Sequence, residues 1–179
     1  EKLAIGVDEF VSIVIAKDLQ DQNKNLDFIL RALEHASTEV GRNLTLLLVG
    51  KNGGSFISPW VSVRWLGELT AAQIAEVAGA ADCVLSASIA ESAGLTIVEG
   101  AAMGLPSISL ENGGTASSIS HGETGFLVRD MESFVSNFTT LAKDASLAAE
   151  LGKAARKKAN RLKPDQIANS YIELYESMT

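Results

Sequence analysis

Residues 83–110 decide the fold: Cys83-Val84-Leu85-Ser86, then Ala87-Ser88-Ile89-Ala90-Glu91-Ser92-Ala93, then Gly94-Leu95-Thr96-Ile97-Val98-Glu99-Gly100-Ala101-Ala102-Met103-Gly104, then Leu105-Pro106-Ser107-Ile108-Ser109-Leu110. A short apolar run gives way to a loop of small residues, a glycine-bounded helical pattern (Gly94 to Gly104) and a second short run. This is the order of a strand, a crossover helix and a parallel strand. Parallel strands are covered on both faces, so their sequences read as nearly continuous apolar runs.

Outward from this unit the same alternation repeats. Further short runs lie at Val11 to Ala16, Leu44 to Val49, Val61 to Leu66 and Gly125 to Val128, so six strands are expected in all. Helical patterns fill the gaps. Asn25 to Val40 places Phe28, Ile29, Leu33 and Ala36 on one stripe, and Thr70 reads as the N-cap of Ala71 to Ala80. After residue 128 only helices are expected, at Glu132 to Leu141, Ser146 to Asn160 and Pro164 to Glu176. The fold class is therefore α/β, a doubly wound parallel six-stranded Rossmann-like sheet with a C-terminal helical tail. Residues 10–130 form the α/β core and residues 131–179 the tail of one domain spanning 1–179.

Composition agrees with one folded domain. The chain has 179 residues, of which 46% are hydrophobic and 21% charged. That is enough apolar surface to offset the entropy of ordering. Cys83 is the only cysteine and lies in an apolar run, so it reads as a core residue rather than a disulfide partner. With only His35 and His121 besides, a structural zinc site has almost no ligands, and no metal is expected. The formal charge of −7 argues against nucleic acid as a partner. That charge is unevenly spread. Lys153, Arg156, Lys157, Lys158, Arg161 and Lys163 stand within eleven residues without an acid, leaving nine bases against 22 acids elsewhere. This basic helix is either a solvated face or a contact for anionic lipid. No apolar run is long enough to span a bilayer, and Glu1-Lys2-Leu3-Ala4 has no signal-peptide character. The expected location is the cytoplasm, with peripheral contact at the inner face of the membrane.

With the common strand order 3-2-1-4-5-6, strands 1 and 4 are neighbours and the crevice outside their carboxyl ends binds ligands. The loop Lys17 to Lys24 should then face the loop Ala87 to Thr96. The first offers Lys17 and Lys24. The second offers Glu91, then Gly94-Leu95-Thr96 opening a helix, with Glu99 a turn inside. Free N–H groups at a helix N-terminus attract phosphate, and Gly94 allows close approach. Glu99 suits vicinal hydroxyls and Glu91 a second polyol. Each residue also has a plainer reading: Glu99 as compensation of the helix dipole, Glu91 and the lysines as solvated loop residues. Their convergence at one crevice favours a sugar–diphosphate–nucleoside ligand. Gly50-Lys51-Asn52-Gly53-Gly54 follows strand 2 and lacks dinucleotide-fingerprint spacing, and neither a Walker A motif nor a triad is present.

Residues 91–128, ESAGLTIVEGAAMGLPSISLENGGTASSISHGETGFLV, resemble the donor-side signature of the retaining family-4-type (group 1) glycosyltransferases of GT-B fold. That signature runs E-P-F-G-L-x-x-x-E-A-M-A-x-G-x-P, then G-G, then G-x-x-G-x-L-V. Leu48-Val49-Gly50, Trp65-Leu66-Gly67 and Ala81-Asp82-Cys83-Val84 also fall where this family has them. The resemblance implies that Glu99 binds the donor ribose, that Gly94, Leu95 and Thr96 hold the diphosphate, and that Glu91, the catalytic candidate, bonds the transferred sugar. Lys24 would be the phosphate-binding lysine, Lys17 would replace the family's arginine, and Leu69 would lie in the loop cradling the base. No metal or other cofactor is implied, so the helix dipole and basic side chains must stabilise the leaving diphosphate. Three departures stand out: Lys24 follows Lys17 by seven residues rather than about five, Ser92-Ala93 replaces Pro-Phe, and Thr115-Ala116 replaces Pro-Glu. These bear on sugar preference, not on the anion site. A GT-B enzyme has two domains, so this chain is expected to be the donor-binding C-terminal one, with the acceptor-binding N-terminal domain absent. Alone, it is expected to bind donor without full activity. The implied activity is retaining transfer of a hexose from a UDP-, GDP- or ADP-sugar to a glycan or lipid-linked acceptor in building a cell-surface polysaccharide. A nucleotide-sugar epimerase and a non-catalytic partner subunit share the architecture.

Overall fold

The computed structural model describes residues 5, 6 and 8–178; the N-terminal residues read for signal-peptide character lie outside them. A single sheet of seven strands carries the fold, in the order β3-β4-β2-β1-β5-β6-β7. The strands are β1 (Phe10–Asp18), β2 (Leu44–Lys51), β3 (Phe56–Ile57), β4 (Val61–Trp65), β5 (Cys83–Ser86), β6 (Ser107–Leu110) and β7 (Gly125–Val128). All pair in parallel except β3, a two-residue antiparallel edge strand on β4. The six parallel strands are the six expected, and without β3 their order is 3-2-1-4-5-6.

Alternation along β1 shows why these segments are strands. Phe10, Val14 and Ala16 point into the larger apolar cluster, with Ile29, Leu33 and Ala36 of α1 (Leu26–Val40) and Phe134, Phe138 and Leu141 of α5 (Met131–Lys143). Val11 and Ile13 point into the opposite cluster, which Ala78 of α2 (Ala71–Ala78) joins. On that face Gly100 of α3 (Leu95–Ala102) lies directly on Val84, leaving no room for a β-carbon. Both faces are thus sealed, and Cys83 is fully buried, its thiol pushed well above the usual range by burial.

The helix starts follow local capping chemistry. Thr70 caps α2, its side chain accepting from the Gln73 N–H while the Gln73 side chain returns to the Thr70 N–H. Asn112 does the same with Thr115 for α4 (Gly113–Ser118), a short helix that no apolar periodicity announces. After β7, α6 (Ala145–Ala159) packs on α3 through Ala101, Ala155 and Ala159 and sends Leu151 into the larger cluster. In α7 (Pro164–Ser177) the residues from Asp165 onward are exposed, Ile167, Tyr171, Leu174 and Tyr175 among them.

One expectation needs correcting. Lys17 does not open the loop after β1. The strand runs on to Asp18 because β2 extends to Lys51, and Asp18 pairs with Lys51 across a register shift after Ile15. Such a shift re-aims side chains at the strand end. Lys17 is exposed, and its side chain makes no hydrogen bond or ion pair with a described residue.

Candidate functional site

The crevice forms where β1 and β5 lie side by side and their loops leave the carboxyl edge of the sheet. The loop after β1 tightens into one 3-10 turn, Gln22–Lys24, capped by the Asp21 carboxylate accepting from the Asn23 N–H. That turn directs Asn23 at the loop after β5. The Asn23 amide Nδ2 donates to the Ala90 carbonyl, its Oδ1 accepts from the Ala90 N–H, and its own carbonyl accepts from the Ile89 N–H, each at 2.9 Å. The next residue along each loop completes the contact: Lys24 Nζ lies 3.1 Å from Glu91 Oε2. The two loops expected to face each other therefore do so, through a staple that sequence alone does not reveal. Asn23 could be read only as a turn residue, since its partners are 67 positions away.

Further contacts hold the loop after β5 from the far side. Asn112, besides capping α4, donates to the Ser88 carbonyl at 2.9 Å. The Ser118 hydroxyl donates to the Ala93 carbonyl at 2.8 Å. Gly114 sits so close that a β-carbon there would lie 2.2 Å from the Glu91 carbonyl oxygen. The loop is thus fixed before any ligand arrives.

Beyond the loop, Gly94 takes the left-handed conformation (φ 58°) and caps α3 without a side chain. The N–H groups of Gly94, Leu95 and Thr96 have no hydrogen-bond partner among the described residues. They are the unsatisfied donors of a helix N-terminus, where partial positive charge collects. Leu95 is 67% exposed, and Glu99, one turn on and on the same face, is also exposed and unpaired. The first turn of α3 contains no acid, because Glu99 is its fifth residue. Dipole compensation, which fades beyond the first turn, therefore explains Glu99 poorly.

Leu69 lies in the loop between β4 and α2, half-buried against the cluster of Val11, Ile13 and Val49. Beside it Glu68 pairs with Lys51 of β2 at 3.5 Å, a link along the same sheet edge that the sequence reading missed. Lys24, Glu91, Gly94, Leu95 and Thr96 are brought together and Glu99 follows one turn behind, whereas Leu69 packs on its own cluster. Lys17 stays outside the hydrogen-bonded network. Also at this edge, a cavity of about 520 Å³ is lined by Leu19, Asp21, Asn25, Asn52 and Gly53; none of residues 87–99 contributes to it. Among the described residues no group of three His, Cys, Asp or Glu is placed to hold a metal, and no helix is long and apolar enough to cross a membrane.

Comparison with known proteins gives this geometry its context. The model of the family described as glycosyl transferases group 1 matches residues 11–144. N-acetyl-alpha-D-glucosaminyl L-malate synthase of Bacillus anthracis is 29% identical over 97% of this chain and 48% of its own length. A trehalose synthase of Thermococcus litoralis is 31% identical over 73% of this chain and 35% of its own length. The chain spans less than half the length of these relatives. Among solved structures, a sucrose-phosphate synthase from Thermosynechococcus elongatus superposes with a TM-score of 0.79 at 24% identity, covering 97% of this chain and 46% of that one. A glycosyltransferase from Rickettsia africae gives 0.77 at 21% identity over 96% of this chain and 48% of that one. These likenesses show the fold, one Rossmann-like domain of the GT-B type.

Proposed function

Since the chain belongs to the glycosyl transferases group 1 family, we propose that it is the donor-binding part of a glycosyltransferase. In this reading the enzyme moves a hexose from a nucleotide-sugar to a glycan or lipid-linked acceptor with retention of configuration. The observation that carries it is the convergence of three unsatisfied N–H groups, Lys24, Glu91 and Glu99 at the switch point of the sheet. The diphosphate lies against the N-terminus of α3, with Lys24 closing over it. Glu99 accepts hydrogen bonds from the ribose hydroxyls, Leu69 borders the base, and Glu91 addresses the transferred sugar.

As the glycosidic bond to the diphosphate breaks, negative charge grows on the leaving oxygen. Donors already aimed at that position stabilise it without reorganising. Here these are the N–H groups of Gly94, Leu95 and Thr96 and the ammonium of Lys24, so the reading needs no metal. The acceptor and the remaining catalytic groups belong to the rest of a two-domain enzyme.

Calorimetry of the chain with UDP, GDP and ADP tests the reading. One diphosphate should bind in the micromolar range, and Glu99→Ala should weaken it about tenfold or more, the usual effect of deleting a charged hydrogen-bond acceptor. A folded sample that binds none of the three would instead favour a non-catalytic partner subunit. An epimerase would convert a nucleotide-sugar to its epimer with no acceptor present.

The basic stretch adds a proposed contact with anionic membrane lipid. Lys153, Arg156, Lys157 and Arg161 are exposed where α6 ends, and none of them forms an ion pair with a described residue. Each basic residue near an anionic bilayer contributes about 1 kcal/mol. The chain should sediment with vesicles containing phosphatidylglycerol but not with pure phosphatidylcholine. Changing these four residues to Gln should abolish that difference. Equal sedimentation of parent and variant would remove the contact from the reading.

A further inference from the structure

Lys24 and Glu91 are paired, and the contact is held in place by the loops that carry them rather than by the two side chains themselves. Their side chains are only 27% and 21% exposed, so water screens the contact less than at an open surface. Asn23 grips Ala90 from both of its amide atoms, immediately before each partner in sequence. Gly114 backs the Glu91 carbonyl from behind. Asn23 ties the two loops together beside the charges, so exchange of partners needs only side-chain rotation.

We infer that the Glu91 carboxylate competes with the donor's diphosphate for Lys24, so that the site favours a sugar-bearing nucleotide over the sugar-free diphosphate left after transfer. This rests on the reading above, in which the diphosphate lies at α3 and the sugar beside Glu91. One ammonium faces two anions in turn. When a diphosphate takes Lys24, Glu91 loses its ion-pair partner and is left near a like charge, a costly arrangement for a half-shielded carboxylate. A nucleotide-sugar offsets this cost, because its sugar hydroxyls donate to Glu91. A bare nucleoside diphosphate offers nothing in exchange. Once the sugar has moved to the acceptor, Glu91 reclaims Lys24 and the diphosphate is displaced. Glu91 is thus a specificity-determining residue that distinguishes donor from spent donor, and the device promotes product release.

Glu91→Gln separates this role from simple contact with the sugar. The amide still bonds to hydroxyls but no longer competes as an anion for Lys24. The test is calorimetry on parent and variant with UDP, GDP and ADP, and with the glucose conjugate of whichever nucleotide binds. The variant should bind the bare diphosphate about fivefold to tenfold more tightly, a size typical of one partly shielded charge pair, and the sugar conjugate no more tightly than the parent does. In a Lys24→Met background the gain should shrink to the part owed to like-charge repulsion alone, since the contested cation is gone. Unchanged melting temperatures show that the variants fold. A variant that binds the diphosphate no more tightly than the parent overturns the inference while leaving the donor-binding reading intact. A parent that binds none of the three removes both.

Discussion

Phe138→Ala should lower the stability of the chain by about 3 to 5 kcal/mol, the usual cost of emptying an aromatic site in a core. The residue is 1% exposed, and its ring meets Phe10 edge to face at 5.4 Å, where β1 begins. The contact is reinforced from the side. The Arg42 guanidinium lies over the Phe10 ring, 5.8 Å from its centroid, and donates to the Ala142 carbonyl of α5 at 3.3 Å. Phe134, one turn earlier, repeats the arrangement against Phe28 of α1 at 5.4 Å. With these partners fixed by β1, β2 and α1, the site cannot collapse around the missing ring, and the cavity term persists. In urea the midpoint should fall with little change in slope, and the melting temperature should drop by about 6 to 20 °C. A loss below about 1 kcal/mol would mean that α5 is laid on the sheet rather than built into it.

What the sequence discloses in advance, and what it conceals, follows from the range of the interactions involved. The six parallel strands are legible as short runs rich in β-branched residues and Leu, several of them apolar on both faces. In β1, Val11 and Ile13 serve one cluster while Phe10 and Val14 serve the other. The start of α2 is legible because its capping box is local, three residues from Thr70 to Gln73. The crevice is legible because chain order and strand order together place the loops of β1 and β5 next to each other. The start of the loop after β1 is misread because the end of β1 is set by the length of β2, through the pairing of Asp18 with Lys51. Helix α4 goes unseen because Gly113 to Ser118 has poor intrinsic helix propensity; its cap and its packing under another loop create it. Asn23 goes unseen as a staple because Ala90, which its side chain grips, is 67 positions away. The residue types that do the chemistry are readable one at a time, whereas the side chains that hold them in position depend on neighbours distant in sequence.

Gly114→Ala tests that dependence most severely. The new β-carbon would stand 2.2 Å from the carbonyl oxygen of Glu91, 2.5 Å from its carbonyl carbon and 2.7 Å from the carbonyl carbon of Ser92. All three are backbone atoms, so no flexible side-chain end can yield, and either α4 or the loop after β5 must shift. If the loop shifts, the N–H groups of α3 that follow it are displaced, a loss that outweighs any gain from releasing Lys24 from Glu91. If α4 shifts, the Asn112 bond to Ser88 and the Ser118 bond to Ala93 are strained, and the loop loses its support on that side. Both routes degrade the same site. Losing one or two charge-assisted hydrogen bonds there should lower affinity for the nucleoside diphosphate by about tenfold to a hundredfold. The loss of stability should be about 1 to 3 kcal/mol, because the overpacking is confined to the contact of α4 with one loop. Calorimetry alongside thermal melts separates the two effects. Gly114→Ala with unchanged affinity and an unchanged melting temperature would show that the loop carrying Glu91 has slack, and that α4 is not what holds the anion site in shape.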